Sequence, residues 1–294
     1  MSSILTPKVT VIIATYNKRD TLRCAIESVI GQTFEDFECW VVGDACTDGS
    51  EEVVASFDDP RFHWANLTEN SGYQSAPTNE GLRRAQGRYI AYLNDDDIWL
   101  PNHLQELVAH LERAGVDFVY SILEWVKSEQ IQVLELASYP DALRPPDASA
   151  TLHRKDVIDR IGYWKKPYEV QAFPRVDFFR RAQFSGHSFL LVPYLTAIKF
   201  SRQGGYGKAT LQNSYMSRIR TDEEFVEKEL AKLLVDAYRQ LEEPFSLKRL
   251  RIQFSHTIRH IMVKRHIDPG RILFWKRRGQ RIEQWRKSLG LDMD

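Results

Sequence analysis

The chain has 294 residues, with 40 Lys and Arg balancing 40 Asp and Glu, 43% hydrophobic and 27% charged residues. That length suits two domains or one large α/β domain with an appendage, and it can bury a core without disulfides or structural metal. The composition excludes fibrous and wholly disordered chains, and zero net charge argues against a nucleic-acid binder driven by bulk electrostatics. Cys24, Cys39 and Cys46 form no C-x-x-C pair, which argues against a disulfide scaffold and a cysteine zinc site. No apolar run approaches the roughly 20 residues of a membrane span, and Met1–Lys8 has no signal-peptide character. The cytoplasm is the expected compartment.

The first 125 residues alternate strand and helix signals. Val9–Ile13 is a β-branched run of buried-strand type, followed by Leu22, Ala25, Ile26, Val29 and Ile30 at helical spacing. Cys39–Val42 reads as the second strand, Glu51–Phe57 as a short helix, Phe62–Ala65 as the third strand and Thr78–Ala85 as a helix. Tyr89–Leu93 is the fourth strand, Pro101–Arg113 a helix opened by its proline, and Asp117–Trp125 the fifth strand. This alternation predicts βαβ units around a mostly parallel sheet.

Tyr139–Asp147 then reads as a loop, with helices expected at Lys155–Ile161, Asp177–Phe184 and Glu223–Leu241. The glycine-rich Gln203–Lys208 stretch is either a lid or a plain loop. Residues 244–294 hold thirteen Lys and Arg against four acids, a net +9, so residues 1–243 carry −9. Within the basic tail, Ser255–Lys264 and Pro269–Arg286 read as basic amphipathic helices. They suit either an anionic membrane surface, making the inner face of the membrane the expected location, or a helical subdomain whose charges face water.

Ligands of an open parallel sheet bind beyond the carboxyl ends of its strands. Here those ends run into Thr15-Tyr16-Asn17, Gly43-Asp44 and Asn94-Asp95-Asp96-Asp97, while neither a dinucleotide fingerprint nor a P-loop is present. Three adjacent carboxylates repel one another, and a hard divalent cation such as Mg²⁺ or Mn²⁺ would relieve them. A solvated acidic turn near a helix start is the competing reading.

Taken in order, Val9–Asn17, Ile26–Phe34, Val41–Gly49, Asn70-Ser71-Gly72, Asn79-Glu80-Gly81 and Gly87–Pro101 resemble the opening of the family 2 glycosyltransferases. The resemblance is strong over about the first 125 residues and weaker to about Pro193. It implies an α/β chain of GT-A fold, a mostly parallel Rossmann-like sheet flanked by helices. The helical, basic segment 216–294 would extend that domain, with residues 1–125 as its nucleotide-sugar half and 126–215 as its acceptor and catalytic half. The implied activity is inverting, Mn²⁺- or Mg²⁺-dependent transfer from a nucleoside diphosphate sugar, uridine first and thymidine second. The acceptor would be a saccharide or lipid-linked hydroxyl in bacterial polysaccharide or glycoconjugate synthesis. No nucleic-acid partner is expected, and a homo-oligomer stays open.

Carried onto this chain, the resemblance puts Thr15, Tyr16, Asn17, Asp44 and Asp95 around the nucleotide. Asp96 and Asp97 become the metal ligands, and Asp177 at the start of a late helix becomes the general base. Asp177 as a helix N-cap, and Asp44 as a turn acid, are the competing readings. Asn79, Trp99, His153 and Glu169 are candidate donor or acceptor contacts, Glu169 being also the reserve base. Two departures stand out: Asn94 replaces the usual first Asp of the metal motif, and Pro77-Thr78 stands where an Arg is common. They keep alive a degenerate sugar-nucleotide-binding module, beside a nucleotidyltransferase of similar fold.

Overall fold

A computed structural model describes residues 6–128, 131–135, 145–170, 172–200, 207–242 and residue 265. The expected lid at Gln203–Lys208 lies mostly outside them, and the basic helices at Ser255–Lys264 and Pro269–Arg286 lie wholly outside. Four parallel strands open the chain: β1 (Val9–Thr15), β2 (Phe37–Gly43), β3 (Phe62–Asn66) and β4 (Tyr89–Asn94). Helices α1 (Arg19–Ile30), α2 (Ser50–Ala55) and α3 (Ser75–Arg84) connect them. The remaining strands are β5 (Asp97–Trp99), β6 (Phe118–Ser128), β7 (Ile131–Glu135), β8 (Thr151–Arg154) and β9 (Phe189–Phe200). The other helices are α4 (His103–Ala114), α5 (Val157–Ile161), α6 (Pro174–Phe184), α7 (Gly207–Thr221) and α8 (Phe225–Glu242).

The nine strands among the described residues join one sheet in the order β3-β2-β1-β4-β8-β6-β9-β5, with β7 antiparallel on β6. The expected α/β fold is present, and parallel pairing holds across β3-β2-β1-β4 and between β6 and β9. Strand alternation sorts the core. Val9, Val11 and Ile13 face the layer built with Leu22 and Ile26 of α1 and Leu104 and Leu107 of α4. Ile12 faces the opposite layer with Leu82 of α3, Ile158 of α5 and Phe178 of α6. A third cluster packs Tyr215 of α7 and Phe225 of α8 against Ile98 and Leu195.

Three differences from the sequence reading have physical causes. Helix α4 begins at His103 rather than Pro101, because the Leu100 carbonyl accepts from Gln32 Nε2 and the Pro101 carbonyl from the Thr33 N–H, holding both in a turn. Strand β9 escaped the reading because Pro193 interrupts it. The register against β6 slips between the Ser121↔Val192 and Ile122↔Leu195 pairs, so an irregularity absorbs the proline. Strand β8 is a four-residue antiparallel insert between β4 and β6, too short to announce itself by pattern.

Under α7 and α8, Glu124 of β6 is buried, and its Oε1 accepts from the Tyr215 hydroxyl at 3.0 Å while Oε2 finds no partner. Burial, reinforced by the charge of Glu229, pushes its carboxyl up from 4.5 to about 7. Between those values the unfolded chain releases a proton that the folded chain keeps. Stability from this group is therefore full below about pH 4.5 and lost as pH rises toward 7, by about 3 kcal/mol. Glu124→Gln should remove that part of the slope. Urea midpoints of both proteins at pH 5 and pH 8 test this; equal slopes would contradict it.

Candidate active site

The parallel register brings β1, β2 and β4 to a common edge, with Thr15 beside Gly43 and Ala14 beside Asn94. Three loops leave that edge and are laced together. Asn17 Oδ1 accepts from the Thr47 N–H at 2.9 Å, and Asn66 grips both the N–H and the carbonyl of Cys46. Gly43 is required here, since a Cβ would lie 2.4 Å from Asn66 Oδ1. Asn17 and Ala45 both take the left-handed conformation, at φ 49° and 61°. Such conformations cost free energy in non-glycine residues and persist where the surroundings enforce them.

The expected nucleotide residues gather at this edge in different states. Tyr16 leaves its ring 47% exposed. Asn17 spends its side-chain oxygen on the loop clamp. The buried Asp44 accepts from the N–H and the hydroxyl of Ser71, at 3.0 and 2.9 Å. Each carboxylate oxygen has a second lone pair, so Asp44 retains acceptor capacity. The Thr15 hydroxyl is 3% exposed and closes no hydrogen bond, although it adjoins Asp95 and helps hold that carboxylate charged.

The triple aspartate divides its labour. Lys18 Nζ donates to Asp95 Oδ1 at 2.9 Å and to Asp96 Oδ2 at 3.3 Å, so these two carboxylates form the pair facing a cation. Burial pushes the Asp95 carboxyl up, Lys18 works against that, and Asp96 adds to it. Asp97, read from the sequence as a metal ligand beside Asp96, is 0% exposed and held from inside the protein. Its Oδ2 accepts from Asn94 Nδ2 and Ser149 Oγ, both at 2.7 Å, and from Lys199 Nζ at 3.2 Å; its Oδ1 accepts from the Phe200 N–H. Asn94 departs from the usual acid for a visible reason: an acid there would set a second carboxylate against buried Asp97.

Lys199 also reaches Asp147 Oδ2 at 3.1 Å, and Arg175 in the first turn of α6 lies 3.8 Å from the same carboxylate. Burial opposes the charge of Asp147, yet Lys199 and Arg175 hold its carboxyl down at about 2. A ladder of alternating charge thus runs from Asp97 through Lys199 and Asp147 to the start of α6.

The four candidate donor or acceptor contacts all make bonds within the protein. Trp99 is buried, stacked on His103 with ring centroids 4.2 Å apart, and donates from Nε1 to the Ser149 carbonyl. His153 sits buried among Tyr92, Phe118 and Phe178, where burial pushes it down to about 4 and keeps it neutral. Its Nδ1 donates to the Arg154 carbonyl, so its Nε2 accepts from the Tyr92 hydroxyl at 2.9 Å. Asn79 braces the backbone of Trp164 through both ends of its amide. Glu169 is exposed and accepts from the Lys166 N–H across a 3-10 turn. These four side chains hold the scaffold.

Asp177 lies in the first turn of α6, its side chain 22% exposed, and accepts from Arg181 Nε at 2.7 Å. Arg181 in turn donates to the carbonyls of Ile161, Gly162 and Tyr163. The expected N-cap role is absent, since Phe173 holds that position and no side chain caps the helix. Sequence reasoning passed over Lys18, Ser71, Asp147, Arg175 and Lys199. Two of them carried a signal: Lys18, a cation two residues beyond Tyr16 on a loop already assigned to the site, and Ser71, within the Asn70-Ser71-Gly72 motif.

Residues 10–134 match the family model described as glycosyl transferase family 2. The succinoglycan biosynthesis protein ExoO of Rhizobium meliloti is 32% identical over 169 residues, covering 55% of this chain and 48% of that protein. The Escherichia coli UDP-Glc:alpha-D-GlcNAc-diphosphoundecaprenol beta-1,3-glucosyltransferase WfgD is 31% identical over 123 residues, 42% of this chain and 48% of that protein. The chain thus spans about half the length of these curated relatives. Among solved structures, Staphylococcus aureus TarS 1-349 in complex with UDP-GlcNAc superposes with TM-score 0.58 at 19% identity, covering 69% of this chain and 60% of that one. The mannosyltransferase PcManGT of Pyrobaculum calidifontis, in complex with GDP-Man and Mn²⁺, gives TM-score 0.56 at 15% identity over 98% of this chain and 89% of that one. These two likenesses establish the GT-A fold.

The ladder generates a stability prediction. Lys199→Met leaves Asp97 and Asp147 without their shared ammonium, and Asn94→Asp places a carboxylate against Asp97. Each should cost about 3 kcal/mol of unfolding free energy, read as a lower urea midpoint, while Arg83→Ala on exposed α3 should cost under about 1 kcal/mol. A near-neutral Lys199→Met would show the ladder to be incidental.

Proposed function

We propose that the chain, whose residues 10–134 match the family model described as glycosyl transferase family 2, transfers a sugar from a nucleoside diphosphate donor to a hydroxyl of a saccharide or lipid-linked acceptor in bacterial surface polysaccharide synthesis. The carrying observation is the gathering of Thr15, Tyr16, Asp44, Asp95 and Asp96 at one edge of the sheet. The donor read first is a uridine diphosphate sugar, with thymidine diphosphate second. Both bases present an imide N–H, which suits the spare acceptor capacity of Asp44, and the exposed Tyr16 ring offers a stacking face. The lipid-linked class is supported by the relative whose name specifies a diphosphoundecaprenol acceptor. A lipid-linked acceptor would also give the +9 segment 244–294 an anionic surface to meet.

A divalent cation fits the residues present. Among the described residues no group of three His, Cys, Asp or Glu side chains is arranged to hold a metal. Asp95 and Asp96, held together on Lys18, would be the protein's contribution, with the buried Thr15 hydroxyl beside Asp95. Mg²⁺ and Mn²⁺ are commonly held by one or two carboxylates with substrate phosphates completing the shell. Bound there, the cation would supply charge stabilisation to the departing diphosphate.

Transfer with inversion is one displacement. The acceptor oxygen bonds to the anomeric carbon, the bond from that carbon to the diphosphate oxygen breaks, and the acceptor's proton goes to a carboxylate. Asp177 is the proposed base, the one acid of α6 and partly exposed. The charge ladder ends on the same turn of that helix, at Arg175. Asn94 counts against the degenerate reading, since its amide serves buried Asp97 and its presence marks no lost ligand.

Calorimetry with UDP, with and without Mn²⁺, and UDP release from a panel of nucleotide sugars test the reading. Wild type should bind UDP more tightly with Mn²⁺, and Asp96→Asn should lose that gain along with turnover. No UDP binding under either condition would overturn the assignment. Asp177→Asn should keep UDP affinity and lose about 10³-fold in kcat; a lowered melting temperature with kcat retained would make Asp177 only the staple for Arg181.

A further inference from the structure

The carboxylates proposed to hold a divalent cation already hold one, and it belongs to the protein. Lys18 reaches from the β1–α1 loop, and its ammonium touches one oxygen of Asp95 and one of Asp96, at 2.9 and 3.3 Å. The acids are nearly buried, at 8% and 10% side-chain exposure, whereas Lys18 is 39% exposed. The acids are thus fixed features of the β4 end, while the lysine can leave for solvent. Two negative groups drawn this far from water need a counter-ion near them. The buried Thr15 hydroxyl adjoins Asp95 and favours its charged form, so the pair is arranged to stay ionised.

The geometry points to Lys18 as a built-in competitor for the divalent cation, so that the metal enters efficiently only with a nucleoside diphosphate, which draws the ammonium onto its phosphate oxygens. This rests on the nucleotide-sugar reading above. An ammonium and a divalent ion cannot share one carboxylate pair, because at about 4 Å their repulsion reaches a few kcal/mol even in a solvent-like medium. Metal alone must therefore displace Lys18 with no compensation. Metal arriving with a diphosphate brings a second set of anionic oxygens, and the lysine exchanges a carboxylate partner for a phosphate partner. Lys18 thereby positions the metal's order of entry and guards the acidic tip against stray cations.

The test is a Mn²⁺ titration followed by electron paramagnetic resonance, with and without saturating UDP, on the full chain and on Lys18→Met and Lys18→Arg. Without UDP, Lys18→Met should bind Mn²⁺ about tenfold more tightly than wild type, and Lys18→Arg should stay weak because it keeps the charge. The gain in Mn²⁺ affinity on adding UDP should be large in wild type and small in Lys18→Met. Should Lys18→Met bind Mn²⁺ no more tightly than wild type without UDP, while both bind it with UDP, the competitor role is wrong and the metal reading stands. If neither takes up Mn²⁺ even with UDP, the metal reading falls and the competitor falls with it.

Discussion

Three consecutive carboxylates stand at the end of β4, and the protein keeps them together by splitting them between two sets of partners. Asp97 turns into the interior and is held by Asn94, Ser149, Lys199 and a backbone N–H of β9. Asp95 and Asp96 are held on Lys18. Burial raises the free energy of each charge by far more than a surface ion pair returns, so these partners fix the geometry of the tip as well as its charge. Pairing of β5 with β9 puts Asp97 opposite Lys199, and the insertion of β8 between β4 and β6 follows directly on the turn that carries Ser149. Much of the C-terminal half of the sheet thus serves to hold one acidic turn in place.

The ladder through Lys199 and Asp147 ties two halves of the chain. Asp147 closes the loop before β8, and Arg175 opens α6, the helix that bears Asp177. Any displacement of the β4 tip is therefore felt at the start of α6 through a short chain of ion pairs, all of them largely withdrawn from water. Arg181, paired with Asp177, fixes the other side of α6 to the carbonyls that end α5. The result is a helix clamped at two points around the first-turn acid, which suits a group that must meet a substrate held elsewhere.

The amino-acid sequence displayed the first half of this arrangement well, because buried parallel strands and their loops are local signals. The runs Val9–Ile13, Cys39–Val42, Phe62–Ala65 and Tyr89–Leu93 all lie within parallel strands, and the strand-end residues Thr15, Asp44 and Asp95 fall on one edge. The second half was opaque because its pairings are long-range. Nothing near Lys199 in the chain hints that it meets Asp97, and Pro193 disguises the strand that carries it. The same blindness affected the reading of Trp99 and His153. Polar aromatics beside a motif look like ligands in one dimension, and only the packing shows them stacked or hydrogen-bonded inside the core. Asn94 is the instructive case, since it reads as a lost ligand until its amide is seen donating to a carboxylate three residues away.

The need to offset buried negative charge explains why the chain combines the acids of its strand-end motif with unannounced cations. A tip with acids alone would be unstable without metal, and a tip with permanently buried cations would exclude metal altogether. The structure takes an intermediate course by using cations of different mobility. Lys199 has 23% of its side chain exposed and bridges two acids, so it is bound to the fold. Lys18 is more open to water and rests on a loop, so its hold on Asp95 and Asp96 is the weaker of the two. The outer pair is thus held by a cation with access to water while the inner pair keeps the scaffold in register, and that separation follows from the exposure of Lys18 against that of Lys199.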